Sequence, residues 1–159
     1  MLKLKRVSSI KLDTSVSQLF DEVGFYPTFS KDVKRAKKSI LIESPFMTVK
    51  RTEEFISIAR RLVQNGVAVR INTRHPNHHE GILVSQAWSS IKLLEDAGIK
   101  VCLYKDMRHR KIAIIDGSVL WEGSLNMLSH NRSRELMRRT ESVAACKQVL
   151  RFTDISSRK

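Results

Sequence analysis

The chain has 159 residues, 42% of them hydrophobic and 28% charged, with six Gly and three Pro. That is the make-up of one ordinary folded domain, and it excludes a collagen-like, low-complexity or wholly disordered chain. Lys and Arg total 29 against 16 Asp and Glu, a formal charge of +13. Such an excess favours a polyanionic partner, nucleic acid or an anionic membrane surface, without choosing between them. Cys102 and Cys146 form no CxxC pair and no disulfide scaffold, and read as buried free thiols. No run approaches the roughly 18 apolar residues of a membrane span. The amino end, basic but without a sustained apolar core, is not a secretory signal, so a cytoplasmic location is expected.

In chain order, residues 2–12 alternate weakly and read as an edge strand or an extension before the domain, so residues 1–24 are set apart from a single domain over 25–155 and a frayed end at 156–159. Phe25-Tyr-Pro-Thr-Phe29 reads as a turn before a helix at 30–38, with Ser30 as cap and Val33 and Ala36 facing inward. The apolar run 39–44, ended by Pro45, reads as a strand. In 52–65, Phe55, Ile58, Ala59, Leu62 and Val63 recur at helical spacing, and Asn65-Gly66 stops the helix. Residues 67–73 form a second strand, 74–81 a polar loop, 82–97 a helix closed by Gly98, and 99–103 a third strand. Helices alternating with short β-branched runs predict an α/β fold: a mixed, mostly parallel sheet flanked by helices.

After residue 103 the pattern changes. Ile112–Ile115 and Val119–Trp121 are joined by Asp116-Gly117, a strong hairpin signal. Gly123-Ser-Leu-Asn126 opens a polar loop with a short helical turn through Leu128; Leu136 and Met137 suggest a brief strand, and 141–154 a last helix. His109 and Lys111 stand two apart at the entry to the first hairpin strand, so their side chains share a side and Arg110 points away. The hairpin returns Gly123, Ser124 and Asn126 beside that pair. Imidazole, ammonium, hydroxyl and carboxamide then converge on one pocket that suits a phosphate.

The pattern His109-x-Lys111-x4-Asp116-x6-Gly123-Ser124-x-Asn126 resembles the signature of the phospholipase D superfamily, with every position filled. The resemblance covers residues 25–155 and extends to the α/β sandwich of that superfamily. In length the chain resembles its small single-motif members, which include non-specific bacterial DNA endonucleases. The resemblance implies that His109 attacks phosphorus to give a covalent phosphohistidine, while a second histidine protonates the leaving oxygen and then activates water. Lys111, Ser124 and Asn126 would hold the non-bridging oxygens. It also implies no metal and no cofactor. Asp116 would secure the hairpin rather than carry protons, and Gly123 would give structural support. Glu135 is the expected acceptor that orients the His109 ring, with Glu141 and Glu122 as alternatives and a surface ion pair with Arg134 or Arg138 as the bland reading. A single-motif chain has only half of the histidine pair, so a C2 homodimer with one composite site is expected.

Other residues invite function less strongly. His75, His78 and His79 lie together with Glu80, but their spacing fits no metal site; a solvated loop or a phosphate contact is the better reading. Trp88 reads as core, Trp121 as core or a wall of the site, His130 as a surface residue, and Phe46 lies where ligand-facing loops emerge. Arg132 and Arg134 are the expected contacts to backbone phosphates. The leading expectation is a metal-independent nuclease, DNA favoured over RNA and without integral membrane association. The alternatives are the same chemistry on phospholipid, or a nucleic-acid-binding module with an accessory or inactive site. A larger parent protein or a partner would supply any sequence specificity.

Overall fold

The computed structural model describes residues 16–129 and 132–153. The edge strand expected over 2–12 and the surface reading of His130 lie outside the described residues. Strand β1 (Val16–Asp21) leads into α1 (Glu22–Arg35), then β2 (Ser39–Glu43), α2 (Val49–Gln64), β3 (Ala68–Arg74), α3 (Ile82–Asp96), β4 (Lys100–Tyr104), β5 (Lys111–Ile115), β6 (Val119–Gly123), β7 (Leu136–Glu141) and α4 (Val143–Thr153). The strands form one seven-stranded sheet in the order β1-β7-β6-β5-β2-β3-β4. This is the mixed α/β sandwich that the sequence predicts. Within it the balance differs: β2–β3 and β3–β4 are parallel, while the other four pairings are antiparallel. The helical crossovers end at β4, and the strands after it are a hairpin and a return strand, followed by α4.

Helix α1 starts eight residues before the expected position. The Asp21 carboxylate accepts from the Val23 and Gly24 N–H groups at 3.1 and 2.7 Å, which makes Asp21 the cap in place of Ser30. Pro27 therefore lies inside a helix rather than in a turn. Burial of Phe25 and Phe29 against Trp121, with the Phe25 and Trp121 centroids 5.1 Å apart, compensates for the donor that proline lacks. Helices α2 and α3 end as expected. Gly66 and Gly98 take φ of +86° and +78°, and the next residues, Val67 and Ile99, donate back to Leu62 and Leu94 at 3.0 Å. Both of those residues are buried, so the same motif that ends each helix aims the chain into β3 and β4.

Helices α1, α2 and α3 share one face of the sheet, where the larger core gathers Phe25, Phe55, Ile42, Ile71, Leu94 and Trp121. Helix α4 covers a smaller core of Ile112, Ile114, Leu120 and Cys146 on the other face. Trp121 is a core residue, wholly buried, and its indole N–H donates to Asp32 at 2.9 Å. Arg139 holds the same carboxylate through two nitrogens, at 2.7 and 3.0 Å. Trp88 does not join the core. It is 43% exposed and stands edge-on to His75, because the buried stripe of α3 runs through Ala87, Ser90, Ile91 and Leu94. Of the two free thiols, Cys146 is buried and Cys102 only half-buried. The turn expected through Leu128 is a single one, closed by the Ser129 N–H on the Asn126 carbonyl at 3.2 Å, and Leu128 also forms a bridge to Met47. No helix among the described residues is long and apolar enough to cross a membrane.

Candidate active site

The topology brings the motif, except Asp116, to one end of the sheet. Glu43, the last residue of β2, pairs with Ile112 of antiparallel β5, so Lys111 and His109 lie just beyond the carboxyl end of β2. Gly123 ends β6 opposite both Lys111 and Met137. The residues after β6 and before β7 therefore open at the same rim, where ligands of parallel α/β units also bind. Gly123 is required there. A Cβ would lie 2.1 Å from the Leu136 carbonyl oxygen and 2.9 Å from Met137 Cα, both fixed backbone.

His109 is exposed, whereas Lys111 is buried. Lys111 Nζ lies 2.6 Å from His109 Nδ1 and 3.2 Å from Nε2, and it donates to the His109 carbonyl at 2.7 Å. Desolvation, then the Lys111 ammonium, then Arg74 hold the His109 pKa below the usual 6.5. The ring is therefore neutral at neutral pH, with an unprotonated nitrogen available as a nucleophile. Lys111 is itself lowered, by desolvation first and by Arg74, against the opposing charge of Glu135.

Ser124 and Glu135 meet directly: the Ser124 hydroxyl donates to Glu135 Oε2, and the Ser133 hydroxyl donates to Oε1 at 2.5 Å. The Glu135 N–H in turn donates to Glu22 at 3.1 Å. Ser124 is also stitched to β7, since its N–H reaches the Leu136 carbonyl at 3.0 Å and its Oγ accepts the Leu136 N–H at 3.0 Å. The Asn126 backbone carbonyl accepts from the Tyr26 hydroxyl at 3.4 Å and from the Ser129 N–H at 3.2 Å. Its side-chain Oδ1 is buried with no hydrogen-bond partner. An unsatisfied buried amide oxygen is costly in a resting protein and is the kind of exception that marks a site.

Asp116 stands at the other end of β5. Its carboxylate accepts the N–H groups of Lys37, Lys38 and Ser39 at 2.7–3.1 Å and so fastens the hairpin to the start of β2. Glu122 is the neighbour of core-facing Trp121 and turns to the opposite face, and Glu141, at the far end of β7, pairs with Arg139. Arg132 and Arg134 are exposed before β7, with Arg134 paired to Glu22 at 3.0 Å. In the histidine loop His79 is buried against Phe46, with centroids 5.0 Å apart, so that loop is not simply solvated. Among the described residues no group of three His, Cys, Asp or Glu side chains is placed to hold a metal ion.

Two neighbours of the site escape a motif-based reading. Arg74 ends β3, lies 5.1 Å over the Phe46 ring and donates to the Arg108 carbonyl at 2.8 Å. Phe46 stands edge-on to His109, with centroids 6.0 Å apart. Their signal in the sequence is position alone, at the carboxyl ends of two parallel strands.

A family model described as "Cardiolipin synthase, PLD-like domain" matches residues 29–154. The chain belongs to the phospholipase D-like family. With that fold and a complete motif it is an enzyme of the phosphodiesterase class. Among solved structures, it is similar to NucT from Helicobacter pylori, with 20% identity, a TM-score of 0.69, and coverage of 87% of this chain and 92% of that one. It is similar also to Nuc of Salmonella typhimurium, described as a phospholipase D family member, at 15% identity, TM-score 0.70, and 87% and 91% coverage. A phosphatidylserine synthase from Haemophilus influenzae shares the fold at 13% identity and TM-score 0.65; the match covers 94% of this chain and 40% of that one. No curated protein matches the chain.

Proposed function

We propose that the protein is a metal-independent endonuclease without sequence preference, acting on DNA ahead of RNA, with its catalytic domain at residues 25–155 and its place of work in the cytoplasm. The observation that carries this reading is the neutral, exposed His109 imidazole with the Lys111 ammonium 2.6 Å from its ring. A nitrogen of His109 forms a bond to phosphorus as the bond from phosphorus to the leaving oxygen breaks. Lys111 and Asn126 donate to the non-bridging oxygens as their charge grows, joined by Ser124 once its one O–H proton turns from Glu135 to phosphate. A second imidazole, which carries the proton that the attacking His109 lacks, gives it to the leaving oxygen and then takes one from the water that displaces His109. That imidazole is His109 of a second copy, so the working unit is a C2 dimer. Glu135 is the acceptor that orients the His109 ring, and it also takes the Ser124 hydroxyl and sets its charge against Lys111. Arg132 and Arg134 contact phosphates outside the scissile one. The formal charge of +13 supports a nucleic acid as the polyanion.

The test incubates the protein in EDTA with plasmid DNA, single-stranded RNA or phosphatidylglycerol vesicles, beside His109→Ala. EDTA-resistant plasmid cleavage is expected, falling at least ~10³-fold in the variant, together with dimer mass by sedimentation. Hydrolysis of lipid alone, cleavage that needs a divalent metal, or a monomer that cleaves DNA would each overturn part of the reading. Tight DNA binding with no turnover would favour a binding module.

A further inference from the structure

Residues 105–110, between β4 and β5, have no regular secondary structure, yet they carry His109 at an exposed position. What fixes this segment is a carboxylate from a different strand. Glu43, fully buried at the end of β2, accepts Arg108 Nη1 on Oε2 at 3.0 Å and Arg110 Nε on Oε1 at 2.7 Å. The two residues that flank His109 are thus tied to the two oxygens of one side chain. Arg108 is held further by Asp106, at 2.7 Å through each of two nitrogens, and its guanidinium lies 3.3 Å from the centre of the Tyr104 ring. The Tyr104 hydroxyl accepts from Arg70 at 3.1 Å, and Arg74 secures the backbone by donating to the Arg108 carbonyl at 2.8 Å.

We infer that Glu43 is the positioning residue of the His109 imidazole, fixing the backbone on both sides of it so that the ring meets its phosphate without a search. Side chains alternate along an extended segment, so clamping 108 and 110 on one side holds 109 toward the other. Fold stability alone gives no reason for a carboxylate at this place. A buried ion pair is on balance no better than a well-packed apolar residue, and the rest of β2 is Ser39-Ile-Leu-Ile42. What an apolar residue cannot do is hold two arginines at fixed directions. Glu43 touches neither the imidazole nor, on this geometry, the substrate. Its effect is on placement, where an error of about 1 Å costs on the order of 10²-fold in rate.

This inference rests on His109 as the reacting group, so its test has one readout that needs no activity. In Glu43→Gln, kcat on bis(p-nitrophenyl) phosphate is expected to fall ~10–100-fold with KM within about threefold, because the groups that bind phosphate are untouched. The backbone order parameter of the His109 amide is expected to drop from about 0.85 to below about 0.6, with residues 112–115 unchanged. Arg110→Gln, at a side chain 39% exposed and safe for folding, removes one tie and is expected to lower kcat and the order parameter by less. An unaltered order parameter in a folded variant, or a loss confined to KM, overturns the inference. If Glu43→Gln does not fold, Arg110→Gln alone decides on the same two readouts. Should the wild type cleave no phosphodiester at all, the proposed function fails while the order parameters still judge Glu43.

Discussion

The two ends of β5 carry the two ends of one motif and treat their polar groups in opposite ways. At the far end, the Asp116 carboxylate takes three backbone N–H groups, and the Asp116 N–H returns a bond to the Ser39 carbonyl at 2.8 Å. Both carboxylate oxygens and the N–H of Asp116 have partners. At the near end, Lys111 crowds an imidazole it tends to keep uncharged, Arg74 adds more positive charge, and Asn126 Oδ1 has no partner. Satisfied groups stabilise a fold, and unsatisfied ones are poised for a ligand. Four residues of strand, 112–115, separate an anchor from a reactive site, so a motif is not a list of equal members.

The largest effect that would break this contrast is expected at Gly123. Its Cβ would strike the backbone of β7, which cannot move aside without parting the β6–β7 pair. Gly123→Ala should cost roughly 3 kcal/mol or more in chemical denaturation, as overpacking against rigid backbone does. Its folded fraction should also lose cleavage, because the Ser124–Leu136 bonds begin at the next residue. Full stability with full activity would show that the near end tolerates more than its packing suggests.

Asp116→Asn probes the far end and should cost roughly 2 kcal/mol, the scale of hydrogen bonds to a charged acceptor, while kcat per folded molecule stays within about twofold. Asparagine keeps the left-handed backbone, φ +55°, that Asp116 adopts. Burial tends to raise the Asp116 pKa, but the backbone donors and Lys38 outweigh it and the net shift is downward. The carboxylate therefore contributes stability in full above the unfolded carboxyl value of about 3.9. That contribution is lost as pH falls through the lower folded value. Acid-unfolding curves should show this loss in the wild type and not in the variant. A large fall in kcat would move Asp116 from anchor to catalyst.

How much of this was legible beforehand depended on the range of the physics involved. The hairpin, the motif and the glycine-stopped helices are local, written in turn residues and spacing, and they were readable. The antiparallel majority was not, because strand pairing after β4 depends on which edge each strand joins. The Asp21 cap is hidden in the sequence because a proline six residues into α1 reads as a boundary, whereas aromatic burial against Trp121 carries the helix past it. Trp88 lies one helical step off the buried stripe that its spacing predicts. The partner of Glu43 lies 65 residues away in Arg108; the only local hint was one acidic residue closing an apolar strand.

The smallest effect is a change in titration, and it tests the near end most directly. Three causes lower the His109 pKa: desolvation, then Lys111, then Arg74. Lys111→Met removes the second while leaving the ring in place, so the His109 midpoint, followed by NMR and assigned with His109→Ala, should rise. It should nevertheless stay below 6.5, because desolvation, the larger cause, and Arg74 both remain. The direction follows from charge: without the ammonium, the imidazolium form is opposed less, and protonation occurs at higher pH. Asp116→Asn, at the opposite end of the strand, should leave the same midpoint where it was. A midpoint that falls in Lys111→Met, or one that moves equally in both variants, would mean that the two ends of β5 are not separate environments.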